Sequence, residues 1–383
     1  MRRILLVGLL LGLAVAGWWW RDRPVHQAGA ADRTAPACYR LLPRATTLPP
    51  PHPFAASRGL GQAVHTLYLD HATAELAQAA GFETIVQVFA WRDLQPGPDQ
   101  FDWGAADAML SVADLYNLNL VVRLDMPPAW AKRDGGAGFP FDEAAYGRFV
   151  AALAARYQGR IRGYIIWNEP NLAAEWSRSG GQLPDHFLNF DGWVARPADY
   201  AALVGLAYHA IRQADPDALV IAGGLAPTNE ISPRAYDDRE FLRQLYEVGW
   251  SDCFDVLAVH GYGFGLPAEM GGAANDGLNL ARVEVLRQIM GEYGDNRPVW
   301  ITELGYTIHS RLQPTVSLTE QADYLAGAYQ HSQREWPWVT LFTVWNLTVG
   351  RPAEDEMSGY SLVEPDGTPR PAYEKLQALF TVD

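Results

Sequence analysis

Eight times over, the chain repeats a short run rich in branched and aromatic residues followed by a longer amphipathic run. The strand-like runs are 61–65, 84–90, 118–125, 161–167, 218–222, 254–260, 298–303 and 339–346. The helix-like runs are 72–80, 105–116, 141–157, 197–213, 239–248, 278–293, 319–333 and 371–380. Such alternation belongs to α/β folds with a parallel sheet, and eight units is the number that closes a (β/α)8 barrel. A doubly wound open sheet rarely gives that count so evenly. The expected fold is therefore a single (β/α)8 TIM barrel over residues 59–383. In such a barrel the residues that end the strands gather on one rim, where chemistry is done.

Two strand ends carry a glutamate. In Ile165-Ile166-Trp167-Asn168-Glu169-Pro170-Asn171 a buried run is stopped by Pro170, which leaves Glu169 at the start of a loop. In Val299-Trp300-Ile301-Thr302-Glu303-Leu304-Gly305 a second run ends the same way, with Gly305 letting the chain turn off. A lone glutamate at a strand end is best read as a loop cap. Two of them, at the fourth and seventh of eight strands, face each other across the mouth of a closed barrel. Carboxyls ~5 Å apart are what double displacement at an anomeric carbon uses: one attacks, the other protonates the leaving oxygen. Arg123, in Leu-Val-Val-Arg-Leu-Asp, is a charge inside an apolar strand and must be paired; Asp125 shares its face. That pair reads equally as a structural ion pair or as part of a subsite. Trp91 and Trp130, after strands two and three, suit sugar-stacking platforms and plain packing alike.

Trp167-Asn168-Glu169-Pro170-Asn171 and Ile301-Thr302-Glu303 resemble the acid/base and nucleophile motifs of the retaining (β/α)8 glycoside hydrolase superfamily, the 4/7 superfamily. The stretch 255–262, ending His260-Gly261-Tyr262, is similar to the His-x-Tyr motif of glycoside hydrolase families 39 and 5, and Arg370-Pro371-Ala372-Tyr373 to the closing helix of many members. The resemblance covers residues 59–383. It implies Glu169 as acid/base and Glu303 as nucleophile. It further implies Asn168 on the 2-hydroxyl of the reacting sugar, Tyr262 orienting the nucleophile, His260 in the same subsite and Trp345 flooring it. The activity implied is hydrolysis of a β-glycosidic bond in an oligo- or polysaccharide with retention and without a cofactor. A transglycosylase on the same residues and a non-catalytic carbohydrate-binding barrel are the alternatives.

Composition closes off other classes. A formal charge of −14 argues against nucleic acid as a partner. The nine histidines form no H-E-x-x-H or Cys/His cluster, so no metal site is expected. Residues 1–20 read as a signal peptide or membrane anchor: Arg2 and Arg3 precede an uncharged run from Ile4 to Ala16 and then Trp18-Trp19-Trp20. Cleavage after Ala14-Val15-Ala16 and membrane attachment through residues 4–20 both remain open, and either places the bulk of the chain outside the cytoplasm. Residues 21–58, rich in Pro, Ala and Arg, read as a linker. The only two cysteines, Cys38 and Cys253, are either bridged or two buried thiols.

Overall fold

A barrel strand buries both faces, so most of its side chains are apolar inward and outward alike, and polar ones are set where they find partners. The computed structural model, which describes residues 36–52, 61–133, 138–177, 192–269, 277–348 and 350–381, follows that rule. The strands are β1 (Gln62–Thr66), β2 (Thr84–Val88), β3 (Asn119–Leu124), β4 (Gly163–Ile166), β5 (Leu219–Leu225), β6 (Val256–His260), β7 (Val299–Leu304) and β8 (Val339–Val344). All pair in parallel with their sequence neighbours, and β8 returns to β1 to close the barrel. Ala63, Val86, Val121, Ile165, Ile221, Ala258, Trp300 and Leu341 form a separate buried cluster drawn from all eight strands. The large Trp300 is set among alanines and valines, as a filled barrel requires.

Between strands run α1 (His71–Ala79), α2 (Gly104–Leu115), α3 (Glu143–Arg156), α4 (Pro197–Ala214), α5 (Asp238–Glu247), α6 (Arg282–Glu292) and α7 (Leu318–Glu335), and α8 (Pro371–Phe380) follows β8. Their starts are written in the sequence. Asp70 accepts from the Thr73 amide, Ser317 and Glu320 form a capping box, and Pro197 and Pro371 occupy the first helical positions. The expected elements are all present. The main differences are that β5 runs on to Leu225 and α6 starts only at Arg282.

The linker expectation needs correction over residues 37–52. The chain there starts with a 3-10 turn and further turns as far as Ala45 and then runs without regular structure to His52, but it is fastened to the barrel. Cys38 is bridged to Cys253, and its turn (Ala37–Tyr39) lies so close to α4 that a Cβ on Gly205 would stand 1.8 Å from the Cys38 carbonyl oxygen. Tyr208 on α4 donates to the Pro49 carbonyl at 3.0 Å, and the His52 amide donates to Asp255 at 2.7 Å. Asp255 in turn is ion-paired to the buried Arg212. Asp255 and Cys253 precede β6, at the end of the barrel opposite the strand-ending glutamates, while Arg40 pairs with Asp199 in the first turn of α4, so the strap runs along that helix. Residues 1–20, read as signal or anchor, lie outside the described residues. No helix among the described residues is long and apolar enough to cross a membrane.

Candidate active site

Glu169 is presented by a strained turn. Both Trp167 (φ 67°) and Glu169 (φ 37°) have left-handed backbones without being glycine. Each costs about 1–3 kcal/mol, which persists only where the surroundings hold it. Here they do. The Trp167 indole is buried between Phe141 (ring centroids 4.7 Å) and Trp176 (5.2 Å) and donates to the Glu175 carbonyl at 3.2 Å. The amides of Trp167 and Glu169 donate to the carbonyls of Leu124 and Gly224, both at 3.1 Å. Gly224 (φ 58°) sits in a bulge of β5, and a Cβ there would stand 3.3 Å from the His260 ring. The glycine lets His260 reach Glu169.

Glu303 depends on an extra residue in β7. Val259 pairs with Ile301, yet the next residue, His260, pairs with Glu303. Unbroken alternation would turn Thr302 inward beside His260 and Glu303 outward to the helices. With Thr302 as the additional residue of a bulge, Glu303 joins His260 on the inner face. Gly305 serves close approach more than turning: a Cβ there would meet the Trp345 carbonyl oxygen at 2.7 Å.

The side chains then converge. Arg123 donates to Glu303 Oε1 at 2.6 Å and to Asn168 Oδ1 at 2.9 Å, and its Nε lies 2.9 Å from Asp125 Oδ2. Tyr262 donates to Glu303 Oε2 at 2.7 Å. His260 Nδ1 is 2.7 Å from Glu169 Oε1 and 3.5 Å from Glu303 Oε2. An oxygen of Glu169 lies within 4.8 Å of one of Glu303. Asn168, Glu169, Glu303, Tyr262 and Trp345 all face one cavity of about 710 Å3 at the mouth of the barrel.

Electrostatics separate the two glutamates. Burial pushes the Glu169 carboxyl up, the neighbouring charges of Glu303 and Glu175 add to this, and the hydrogen bond from His260 offsets only part. Burial opposes a charge on His260, but Glu303 and Glu169 outweigh it and hold the imidazole above its ordinary value. Burial likewise works against Arg123, yet Asp125, Glu303, Glu175 and Glu169 together keep it firmly charged. Tyr262, raised by burial and by Glu303, stays a phenol that donates. Glu169, His260 and Glu303 are close enough to hold a metal ion, but the Arg123 guanidinium already supplies the positive charge on Glu303.

Two expected residues are not brought to the cavity. Trp91 is fully buried, stacked on Phe149 at 5.7 Å and donating to Gln95. Trp130 packs edge-on against it at 5.7 Å and donates to the Gln95 carbonyl. Of the two readings left open, packing holds for both, not a platform: the loops after β2 and β3 fold their indoles together against α3. Asn171 is also structural, clamping Ala226 and Tyr236. Conversely, Glu175 and Tyr360 line the cavity and escaped the sequence reading. Glu175 sits on a single helical turn (Ala173–Trp176) only six residues after Glu169, so an inventory of acids near that strand end finds it. Tyr360 has no local signal. It is carried in by the loop after β8, through the Ile308 amide to the Gly359 carbonyl and its own hydroxyl to Gln313 at 2.7 Å.

Compared with known family models and with curated proteins, the sequence matches none. Solved structures do match. A family 39 glycoside hydrolase from Bacteroides cellulosilyticus WH2 superposes with a TM-score of 0.63 at 19% identity, over 87% of this chain and 65% of that one. The chain thus spans just under two thirds of that protein. The GH39 enzyme from Xanthomonas axonopodis pv. citri gives 0.59 at 18%, over 87% and 67%. Xylanase 10B from Thermotoga petrophila RKU-1, in complex with xylobiose, gives 0.54 at 16%, over 85% and 94%. At these identities what is shared is the fold: the eight-stranded parallel barrel of the superfamily that the motifs resemble.

Proposed function

We propose that the chain is a retaining glycoside hydrolase acting on a β-linked oligo- or polysaccharide, with Glu169 as acid/base and Glu303 as nucleophile. The observation that carries this is the approach of the two carboxylates to within 4.8 Å at the floor of one cavity. Retaining enzymes hold their carboxyls ~5–5.5 Å apart, whereas inverting ones leave ~6.5–9.5 Å for a water.

In the first step Glu303 attacks the anomeric carbon as the C–O bond to the leaving group breaks, and Glu169 gives its proton to the departing oxygen. Arg123 and Tyr262 fix the two oxygens of Glu303 in line for that attack. Asn168, whose Oδ1 is taken by Arg123, has its amide nitrogen left for the sugar 2-hydroxyl. Once Glu303 is esterified, its negative charge no longer holds the proton on Glu169. Glu169 then takes a proton from water, the water oxygen attacks the anomeric carbon, and Glu303 departs. His260 keeps Glu169 aimed through both steps.

The Cys38–Cys253 bridge supports an oxidising, extracytoplasmic location. The test of the mechanism is covalent. A 2-deoxy-2-fluoro glycoside should trap an ester on the peptide containing Glu303, and NMR should show product of retained anomeric configuration first. An inverted first product, or a label elsewhere, would overturn the assignment.

A further inference from the structure

The run Gly261-Tyr262-Gly263-Phe264-Gly265, which follows β6, sets two aromatic side chains among three glycines. Tyr262 holds Glu303. Phe264 takes no part in the catalytic steps, yet it has a left-handed backbone (φ 47°) without being glycine, a conformation strained for a bulky side chain. Its neighbours impose it. A Cβ on Gly263 would stand 2.0 Å from the ring of the buried Tyr306, so the chain passes directly against that ring. The Leu266 amide donates to the Gly263 carbonyl at 3.0 Å and closes the turn, and Gly265 (φ 81°) lies against Pro314.

The strain does not serve the core. Among the described residues Phe264 belongs to none of the buried clusters. It stays half-buried, meets the Tyr262 ring at 6.3 Å with a tilt of 58°, and borders the cavity. A strained turn that holds a half-exposed aromatic ring on a cavity wall is arranged for a ligand. Its place says which part of the ligand. In the proposed reaction Asn168, beyond β4, and Trp345, beyond β8, hold the reacting sugar, while the leaving oxygen meets the proton of Glu169. Glu169 is hydrogen-bonded to His260, the last residue of β6. The departing group therefore starts at the end of β6, and Phe264 stands four residues further along the same segment. Ala226, Pro227 and Thr228, in the loop after the adjoining β5, border the cavity as well.

We propose that Phe264 is the stacking platform of a leaving-group subsite and packs on the apolar face of the first sugar beyond the bond that is cut. This deepens the glycosidase reading and rests on it: the leaving oxygen of the natural substrate belongs to a second sugar, so the substrate is a saccharide chain. Covering one face of the ring uses about half of the burial of a Phe side chain, which corresponds to roughly 3- to 12-fold in binding.

The experiment isolates that subsite by loading Glu303 with the 2-deoxy-2-fluoro sugar, removing excess reagent, and timing release of the label in water alone and with methyl β-D-glucoside, methyl β-D-xyloside, cellobiose or xylobiose added. An acceptor seated in the subsite gives up a hydroxyl proton to Glu169 as its oxygen attacks the anomeric carbon, and Glu303 departs. In the unaltered protein at least one of these acceptors should speed release over water alone. In Phe264→Gly the backbone takes the left-handed turn without strain and only the ring is lost, so the ratio of acceptor-driven to water-driven release should fall roughly 3- to 12-fold. Phe264→Tyr, which keeps a ring, should preserve the ratio. No acceleration by any acceptor in the unaltered protein overturns the subsite, even if Phe264→Gly does not fold. An unchanged ratio in a folded Phe264→Gly overturns the role of Phe264. Either result leaves the glycosidase reading standing, because Glu303 is still labelled. No labelling of Glu303 overturns both.

Discussion

Replacing Cys38 and Cys253 together by serine isolates the contribution of the strap. The bridge spans a sequence separation of 215, and the chain-entropy relation for a loop that long gives about 5 kcal/mol. That figure is a ceiling, since it assumes an unfolded chain without residual structure. The native strap should stay in place in the variant, because the His52 amide still reaches Asp255 and Arg40 still pairs with Asp199. The loss is therefore an effect on the unfolded state. Unfolding entropy of about 2.1 cal/mol/K per residue, over a unit running from Ala37 to the end of the chain, converts 5 kcal/mol into a Tm drop of about 7 °C. Scanning calorimetry with and without reductant reads this directly, and reduced unaltered protein should melt like the serine variant. Activity measured well below either Tm should not change, because Cys253 precedes β6 while His260 closes it. An unchanged Tm would refute the entropic argument, and a loss of activity at unchanged Tm would refute the separation of strap and site.

Other outcomes follow from the geometry of the dyad. Glu169→Ala should lower turnover of substrates with poor leaving groups by about 10²–10⁴-fold and spare glycosylation by activated aryl glycosides; equal losses on both would remove Glu169 from the acid role. Tyr262→Phe deletes a hydrogen bond to a charged group worth about 1.5–3 kcal/mol, so kcat/KM should fall roughly 10- to 150-fold with the fold intact by circular dichroism. Glu303→Gln removes a negative neighbour and leaves Arg123, so the Glu169 carboxyl should titrate lower by infrared spectroscopy. It should still stand above an ordinary glutamate, because burial, the largest cause, persists. No movement would show that burial alone keeps the acid protonated. Because the folded-state pKa of Glu169 is raised, its contribution to stability is full below the unfolded value and is lost as pH rises through the folded one. Melts of Glu169→Gln against the unaltered protein should therefore diverge in favour of the variant as pH rises through that window.

The barrel was legible because eight buried runs and eight amphipathic ones leave little choice of topology, and the strand-ending glutamates because Pro170 and Gly305 mark where chain regularity stops. Side-chain direction was less so. Strict alternation points Glu303 the wrong way, and only the pairing of His260 with Glu303 reveals the additional residue. Arg123 was known to need a partner; that it has both Asp125 and Glu303 depends on a contact between β3 and β7, which no local pattern encodes. Trp91 and Trp130 misled for a related reason, since an indole after a strand end serves a cavity or a core according to how the loop folds. Proline content suggested a free tether over 37–52, and the bond that fastens it comes from a cysteine far along the chain.

The Arg123 cluster also bears on ionic strength. The protein carries a formal charge of −14, and repulsion among exposed acids is relieved by added salt, whose screening length shrinks from ~10 Å at 0.1 M to ~3 Å at 1 M. Arg123 and Glu303, with side chains only 8% and 7% exposed, lie largely beyond the reach of those ions. Surface and site therefore answer to different media: brine should firm the fold while leaving the working pH of the dyad where it was.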